Sequence, residues 1–273
     1  MKPKIKKIPK TITVGIKKGG VGKSAVARIL ADFLALSGKV CLIDGDESSN
    51  TTKRTNVDRL NNQQAELENI FKNRKVEPVN IQENLDLVLG TASLEEVNVE
   101  LASKFNNTIK FLAYLNKENT FDDYDYIVID TRNDTNIITN NMIVASDLVL
   151  GVCDTCADSY DEWLNLMDHV EMLRETVVNG LTDEPYVHAK VKYIGNKVSP
   201  KTNVSKQFKE VMEEDEDCLG YIEDRSVFDE AILLRKSVLD YIVNKPNQNE
   251  SYKKFVANTL ELLENIKNIV DES

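Results

Sequence analysis

Two kinds of apolar pattern alternate along this 273-residue chain. Short, nearly continuous apolar runs are typical of strands buried on both faces of a parallel sheet. They occur at residues 11–16, 40–44, 85–90, 126–130, 148–152, 191–196 and 219–222. Runs with an apolar residue every three or four positions predict helices at 24–37, 93–116, 136–145, 158–178, 203–214 and 250–270. The alternation predicts an α/β fold, a mainly parallel twisted sheet flanked by helices.

Two segments depart from this alternation. Residues 1–10 contain five lysines and two prolines, which indicates an extended basic arm or, equally, a solvated tail without a partner. Residues 56–84 are rich in Asn, Gln and Glu, and we interpret them as a surface insertion with one helix near 64–72. No internal repeat or long linker interrupts the rest, so we expect residues 11–273 to form a single domain.

Composition narrows the classes of function. The net charge of −11 argues against a surface that is basic throughout, so any nucleic-acid binding requires a local basic patch. No run approaches the length of a membrane-spanning helix, and no secretory apolar segment begins the chain, which predicts a cytoplasmic protein. The C-terminal apolar stripe has an acidic polar face, so we expect that helix to dock on the core or at a subunit interface. The chain has only two histidines, which disfavours a histidine-based triad.

A glycine-rich octet, KKGGVGKS at residues 17–24, joins the first predicted strand to the first predicted helix. Such a loop presents free backbone N–H groups and the positive end of the helix dipole to a polyphosphate. In this pattern Lys23 reaches the β- and γ-phosphates, and the Ser24 hydroxyl ligates Mg²⁺. The residues predicted to bind the nucleotide are Gly19, Gly20, Val21, Gly22, Lys23, Ser24 and Ala25.

The octet departs from the general G-x-x-x-x-G-K-[ST] pattern. Lys17 stands at the position of the first glycine, and a second lysine, Lys18, lies inside the loop. The sequence resembles the deviant Walker A motif of the ParA/MinD family of ATPases. This resemblance implies a P-loop NTPase fold and an ATP-closed dimer in which Lys18 reaches the partner's nucleotide. It favours plasmid-type ParA proteins, because MinD-like loops keep a glycine before the extra lysine.

Two further strand ends are similar to motifs of the same family. The sequence DGDESSNTT, which begins at Asp44, resembles D-x-D-P-Q-x-N-x-T, with Glu47 and the next residue replacing Pro-Gln. By resemblance Asp46 positions the water that attacks the γ-phosphate, and Asp44 supports Mg²⁺ or its waters. Asp130 ends a later strand at the Walker B position, which implies contact with Mg²⁺ through water. Arg132 follows where the family usually has proline, and we assign it no role.

The C-terminal half adds a base site and candidate DNA contacts. The sequence YIGNKV resembles the strand whose terminal asparagine, here Asn196, contacts adenine. Residues 220–241 are similar to the family segment I-P-x-R-x-x-[FY]-x-x-A…S-V-[LF]-[ED]-Y, with Glu223 in place of proline. The candidate DNA-binding residues are Lys206, with Lys201 and Lys209 on the same predicted helix, and Arg235 and Lys236. Each of these is equally compatible with a solvated surface charge.

The resemblance implies an ATP hydrolase with weak intrinsic and partner-stimulated activity, and with ATP and Mg²⁺ as cofactors. It also implies a homodimer that binds nonspecific DNA in the ATP state and is released by a ParB-like centromere-binding protein. We therefore expect a cytoplasmic, nucleoid-associated switch for plasmid or chromosome segregation, with no membrane partner. Two alternatives stay open: a ParA-like positioning ATPase for another cargo, and an Fe–S scaffold ATPase that uses Cys153 and Cys156.

Overall fold

The computed structural model describes residues 7–199 and 202–273. Its strands are β1 (Lys10–Gly15), β2 (Val40–Gly45), β3 (Val79–Gln82), β4 (Leu85–Val88), β5 (Tyr126–Thr131), β6 (Leu148–Cys153), β7 (Lys190–Val198) and β8 (Cys218–Glu223). They form one sheet in the order β3-β4-β2-β5-β1-β6-β7-β8. Neighbouring strands are parallel except β3 and β4, which are antiparallel. The predicted fold class is confirmed.

Helices connect the strands and cover both faces of the sheet. They are α1 (Lys23–Leu34), α2 (Asn50–Lys53), α3 (Glu68–Phe71), α4 (Leu94–Ala102), α5 (Lys110–Lys117), α6 (Ile137–Val144), α7 (Ala157–Thr176), α8 (Asn203–Glu214), α9 (Val227–Leu233), α10 (Val238–Val243) and α11 (Glu250–Asp271). Along β2, Val40 and Leu42 pack into one apolar core while Cys41 and Ile43 pack into the other. This alternation follows from the two-residue period of a strand, and it explains why the central strands are apolar throughout.

The structure corrects the prediction of one helix over residues 93–116. Helices α4 and α5 are separate, and Asn106 lies between them in the left-handed region at φ 54°. A left-handed residue ends helical hydrogen bonding, and Asn tolerates that conformation better than most residues. The short helices α2, α9 and α10 were not predicted, because segments of four to seven residues carry little periodicity.

The segment at 56–84 also differs from its prediction as a surface insertion. Its helix, α3, is confined to Glu68–Phe71. Leu67, Ile70, Phe71 and Val76 are buried in the core that faces α4 and α5. The segment also supplies the edge strand β3, which was not predicted because its alternating polar residues are only partly buried. This part of the chain therefore completes one side of the fold.

The two ends of the described chain pack against the sheet. Residues 1–6 of the predicted basic arm lie outside the described residues, whereas Lys7 pairs with Asp125 and Lys10 already belongs to β1. Helix α11 packs against β8 and β1, with Phe255 and Ile266 buried, as predicted for a helix docked on the core. Within residues 7–199 and 202–273, no helix is both long and apolar enough to cross a bilayer.

The strand order determines where a ligand site can form. β1 lies between β5 and β6, and the chain leaves β1 toward β2 on one side and reaches β6 on the other. In open parallel sheets, ligands bind in the crevice at the carboxyl ends of strands where the order reverses in this way. The ends of β1, β2 and β5 carry the motifs identified in the sequence.

Candidate nucleotide-binding site

The loop at residues 17–24 leads from β1 into α1, and its glycines have the backbone conformation that this turn requires. Gly20 and Gly22 have φ of 78° and 95°, in the left-handed region. Gly22 is the residue before the first turn of α1. A Cβ atom at Gly22 would stand 2.3 Å from the Asn196 amide nitrogen, so only glycine fits there. The loop therefore places the N-terminus of α1 at the open edge of the sheet.

A cleft of about 560 Å³ opens in front of this loop. Seven of the predicted site residues line it: Gly20, Gly22, Lys23, Ser24, Ala25, Asp46 and Asn196. Further lining residues include Asn133 from the loop after β5, Arg225 from the segment between β8 and α9, and Phe228 from α9 itself. This volume lies within the usual range for a small-molecule site. Gly19 and Val21 belong to the loop but do not line the cleft, and the Val21 side chain is fully buried.

Lys23 holds its ammonium group inside the site. Its Nζ atom donates to the Lys18 carbonyl oxygen at 2.8 Å and to the Asn133 side-chain oxygen. Burial lowers the pKa of Lys23, and the nearby carboxylates of Asp130 and Asp46 oppose this effect. Among the described residues Lys23 forms no ion pair within 4 Å. A partly desolvated cation with only neutral hydrogen-bond partners is suited to bind an anion.

Asp44 and Asp130 stand side by side at the ends of β2 and β5, where they are register partners. One carboxylate oxygen of Asp44 accepts hydrogen bonds from the Thr52 backbone N–H and from the Thr52 hydroxyl, both at 2.7 Å. Burial, together with the neighbouring Asp130 charge, raises the pKa of Asp44 to about 7. Two buried carboxylates this close favour a proton or a cation between them.

Asp130 has an incomplete set of hydrogen bonds. Its Oδ2 atom accepts from the Thr51 hydroxyl at 2.6 Å, whereas its Oδ1 atom is buried without a hydrogen-bond partner in the described part of the chain. Burial raises the pKa of Asp130. An orphaned carboxylate oxygen beside the Ser24 end of the phosphate loop fits a hard divalent cation such as Mg²⁺. No group of three or more His, Cys, Asp and Glu residues suited to a metal occurs in residues 7–199 and 202–273. Mg²⁺ commonly binds in this way, with one or two carboxylates and with phosphates and waters as its other ligands.

Asp46 lies at the mouth of the cleft, in the loop after β2. Its carboxylate accepts a hydrogen bond from the Ser48 backbone N–H at 2.8 Å, which holds the loop in a turn. The next residue, Glu47, pairs with Arg132, which also lies 3.1 Å from Glu95 and 3.2 Å from Asp134. Arg132 therefore ties the loop that carries Asp46 to the loop after β5, in place of the prolines usual in the family.

Lys18 belongs to the loop but does not line the cleft. Its Nζ atom is 3.4 Å from the Asp154 carboxylate, and both side chains are 20% exposed. The same Asp154 oxygen accepts from the Cys156 N–H at 3.1 Å and from the Ser159 hydroxyl at 2.5 Å. The Lys18 ammonium is thus held at the segment that precedes α7, outside the cleft lining.

Asn196 lies at the far side of the cleft. Its side-chain amide donates to the Val21 carbonyl oxygen at 2.7 Å, which joins the end of β7 to the phosphate loop. The neighbouring Glu223, at the position of the family proline, pairs with Arg225 at 2.6 Å. This ion pair stands at the cleft wall.

The two cysteines of the predicted Fe–S site differ in burial. Cys153 is fully buried and Cys156 is exposed, and burial raises the pKa of Cys153 to about 12. The two thiols therefore do not form an accessible thiolate pair.

The candidate DNA-binding residues do not all lie in one place. Arg235 and Lys236 lie together between α9 and α10, whereas Lys206 lies on α8 and Lys201 falls outside the described residues.

Several residues of the site were not predicted from the sequence. Thr51 and Asn133 contact Asp130 and Lys23 directly, and Asp154 holds Lys18. By contrast, the D-x-D…N-x-T motif singled out Asn50, which lines the cleft, and Thr52, which donates to Asp44.

Comparison with known proteins agrees with this geometry. Residues 9–182 match a family model described as an AAA domain, AAA_31. The sporulation initiation inhibitor protein Soj of Bacillus subtilis is 30% identical over 145 residues, which cover 52% of this chain and 56% of Soj. Protein SopA of Escherichia coli K12 is 28% identical over 259 residues, which cover 84% of this chain and 65% of SopA. The chain thus spans between half and two thirds of the length of these two relatives.

A solved structure supports the fold. A protein assigned to plasmid partition in Borrelia burgdorferi B31, solved with bound AMPPNP, superposes with a TM-score of 0.73 at 24% identity, over 97% of this chain and 99% of that chain. The matched family model covers more than half of the present chain. The chain belongs to this AAA-domain family, and it is similar to partition proteins of the ParA type.

Proposed function

We propose that this protein is an ATP-dependent switch for plasmid or chromosome segregation, which dimerises on ATP and then binds DNA without sequence preference. The observation that carries the proposal is the meeting of Lys23, Ser24 and Asp46 at one cleft, with the buried Asp130 carboxylate near Lys23 and with Lys18 outside the cleft lining. Lys23 supplies a desolvated cation for the phosphates, and Ser24, Asp44 and Asp130 would hold Mg²⁺. When bound, Mg²⁺ neutralises charge on the phosphate oxygens.

Asp46 is our proposed water-positioning residue. Its carboxylate reaches the cleft mouth, and its loop is fixed by the Ser48 N–H and by the pair between Glu47 and Arg132. A fixed carboxylate near the γ-phosphate position orients an attacking water. The expected hydrolysis is weak without a partner, and a ParB-like centromere-binding protein is the proposed activator and release factor.

Lys18 is our proposed dimer residue. Its own subunit holds it against Asp154, outside the cleft, so its ammonium is placed for a second subunit at that face. In a dimer, the γ-phosphate of ATP bound to the partner would offer Lys18 oxygen atoms that ADP does not have. ATP would therefore shift the population toward the dimer. We propose that the protein works in the cytoplasm on the nucleoid.

The proposal is tested by binding to a random-sequence duplex with ATP, with ADP and without nucleotide, over a series of salt concentrations. We expect salt-sensitive binding with ATP alone, because binding to phosphates releases counterions in proportion to the contacts made. The Asp46→Ala variant should retain ATP-dependent binding, since only water positioning is removed. Equal binding in all three nucleotide states would contradict the switch. A lack of binding in every state would favour the positioning of another cargo.

A further inference from the structure

A second cavity, of about 310 Å³, lies beside the nucleotide cleft and is lined by arginines. Arg28 from α1, Arg54 at the end of α2 and Arg235 after α9 line it, and they also line a small pocket next to it together with Lys236. We call these two connected cavities the arginine crevice. The remaining walls come from the segment that precedes β3 and from β3 itself. Four cations from three separate parts of the chain therefore meet on a protein of net charge −11.

These cations are poorly neutralised. Arg28 pairs with the buried carboxylate of Asp32 at 2.9 Å. Arg235 donates to the neutral side-chain oxygen of Asn56 at 3.0 Å. The Arg54 guanidinium forms no ion pair and no hydrogen bond with any residue in 7–199 or 202–273. Only one carboxylate, that of Asp58, belongs to the crevice lining.

The Asp58 carboxylate is already hydrogen-bonded within a local turn. Its carboxylate accepts from the Leu60 backbone N–H at 3.1 Å and from the Asn61 amide at 2.5 Å. Positively charged side chains that line one cavity raise the local concentration of anions there. Guanidinium groups match phosphate oxygens through paired hydrogen bonds.

We propose that the arginine crevice is a binding site for a phosphate group, separate from the phosphate loop. Arg54 and Lys236 are its principal ligands, because neither side chain has a hydrogen bond or an ion pair within the described residues, whereas Arg28 and Arg235 do. The volume suits a phosphate with a small attached group and lies at the lower end of the range for small-molecule sites. The phosphate belongs either to a free small molecule or to the backbone of a nucleic acid that reaches into the crevice.

The crevice is connected to the nucleotide site. Arg54 lines both cavities, and Ser24 lines the nucleotide cleft and the small pocket of the crevice. Thr51, which donates to Asp130, forms part of the same pocket. A phosphate in the crevice and a nucleotide in the cleft therefore share wall residues, and each should change the affinity for the other by the same factor.

The test uses inorganic phosphate and protein whose phosphate loop is already filled with Mg²⁺–AMPPNP. Binding is followed by the broadening of the ³¹P resonance of inorganic phosphate. We expect saturable binding to the parent and about tenfold or greater weakening in Arg54→Ala/Lys236→Ala, as for loss of two charged hydrogen bonds. Lys236→Ala alone, which leaves the nucleotide cleft lining intact, should show part of the loss.

The matched control is Lys253→Ala/Lys254→Ala, which removes two exposed positive charges from α11. It should bind phosphate as the parent does. No saturable binding to the parent, or equal binding by parent and the crevice variant, would overturn the proposal. Anisotropy of a labelled random duplex with the same loaded proteins identifies the source of the phosphate. Loss of duplex binding in the crevice variant, with competition by phosphate, indicates a nucleic-acid backbone, whereas unchanged duplex binding indicates a small ligand.

Discussion

Replacing Asp154 by Asn should make the ATP-state dimer tighter. In the single subunit, the Asp154 carboxylate holds the Lys18 ammonium at 3.4 Å, and our account requires Lys18 to leave this partner when it reaches across a dimer. Asn keeps the oxygen that accepts from the Cys156 N–H and the Ser159 hydroxyl, so the start of α7 is preserved. The substitution removes the charge that competes for Lys18.

The size of the effect follows from the exposure of the pair. Both side chains are 20% exposed, so the ion pair contributes about 1 kcal/mol, near the upper end for pairs that contact solvent. A symmetric dimer releases two such pairs, which amounts to about 2 kcal/mol, or about 30-fold in the dimer dissociation constant. Sedimentation velocity with Mg²⁺–AMPPNP measures this constant without hydrolysis.

Two controls separate this mechanism from a general charge effect. Asp158→Asn removes an exposed acid from the first turn of α7, four residues after Asp154, and should leave the dimer dissociation constant unchanged. In the Lys18→Ala background, Asp154→Asn should have no effect, because the competing cation is gone. A weaker or unchanged dimer in Asp154→Asn, or an equal gain in the Lys18→Ala background, would refute the reasoning.

Three further predictions concern the nucleotide site. Asp46→Ala should bind ATP with near-parental affinity and lose at least about 100-fold in turnover, measured by phosphate release, because only water positioning is removed; parental turnover would assign the water to another residue. Gly22→Ala should lose nucleotide binding in calorimetry, since its Cβ would stand 2.3 Å from the Asn196 amide nitrogen and its φ of 95° disfavours a side chain; retained affinity would count against the loop geometry. In metal-free buffer, stability to urea should fall as pH rises from about 4 to 7, because the folded protein keeps a proton on Asp44 that the unfolded chain releases. Asp44 is fully buried, so its share of this fall is at most about 4 kcal/mol, and Asp44→Asn should remove it; identical pH profiles for the two proteins would show that Asp44 does not hold the proton.

The parts of the site that the sequence predicted are those whose position follows from local rules. Gly22 and Lys23 are placed by a strand-to-helix turn, and Asp44 and Asp130 by the ends of two apolar strands. Parallel strands bring their carboxyl ends to one edge, so the meeting of these residues was expected. The same rule predicts that Asn196, near the end of β7, lies at this edge, and the residue lines the cleft.

The parts that were missed depend on contacts between distant segments. Asn133 contacts Lys23 from 110 positions away in the sequence, and Asp154 contacts Lys18 from 136 positions away. No sequence pattern around Asn133 or Asp154 indicates which residue it contacts. The segment at 56–84 appeared to be surface because its few apolar residues are isolated in a polar sequence. Leu67 and Phe71 nevertheless fill the core, because burial is decided by neighbouring elements and not by average composition.

The central claim, that each site uses its own Asp46 and the partner's Lys18, is tested most directly by mixing two inactive variants. Lys18→Ala keeps Asp46 but cannot supply the lysine, and Asp46→Ala supplies the lysine but cannot position water. In a 1:1 mixture, half of the dimers carry one complete site, so ATP hydrolysis should recover to about one quarter of the parental rate. A mixture that hydrolyses ATP no faster than the sum of the separate variants would contradict the account.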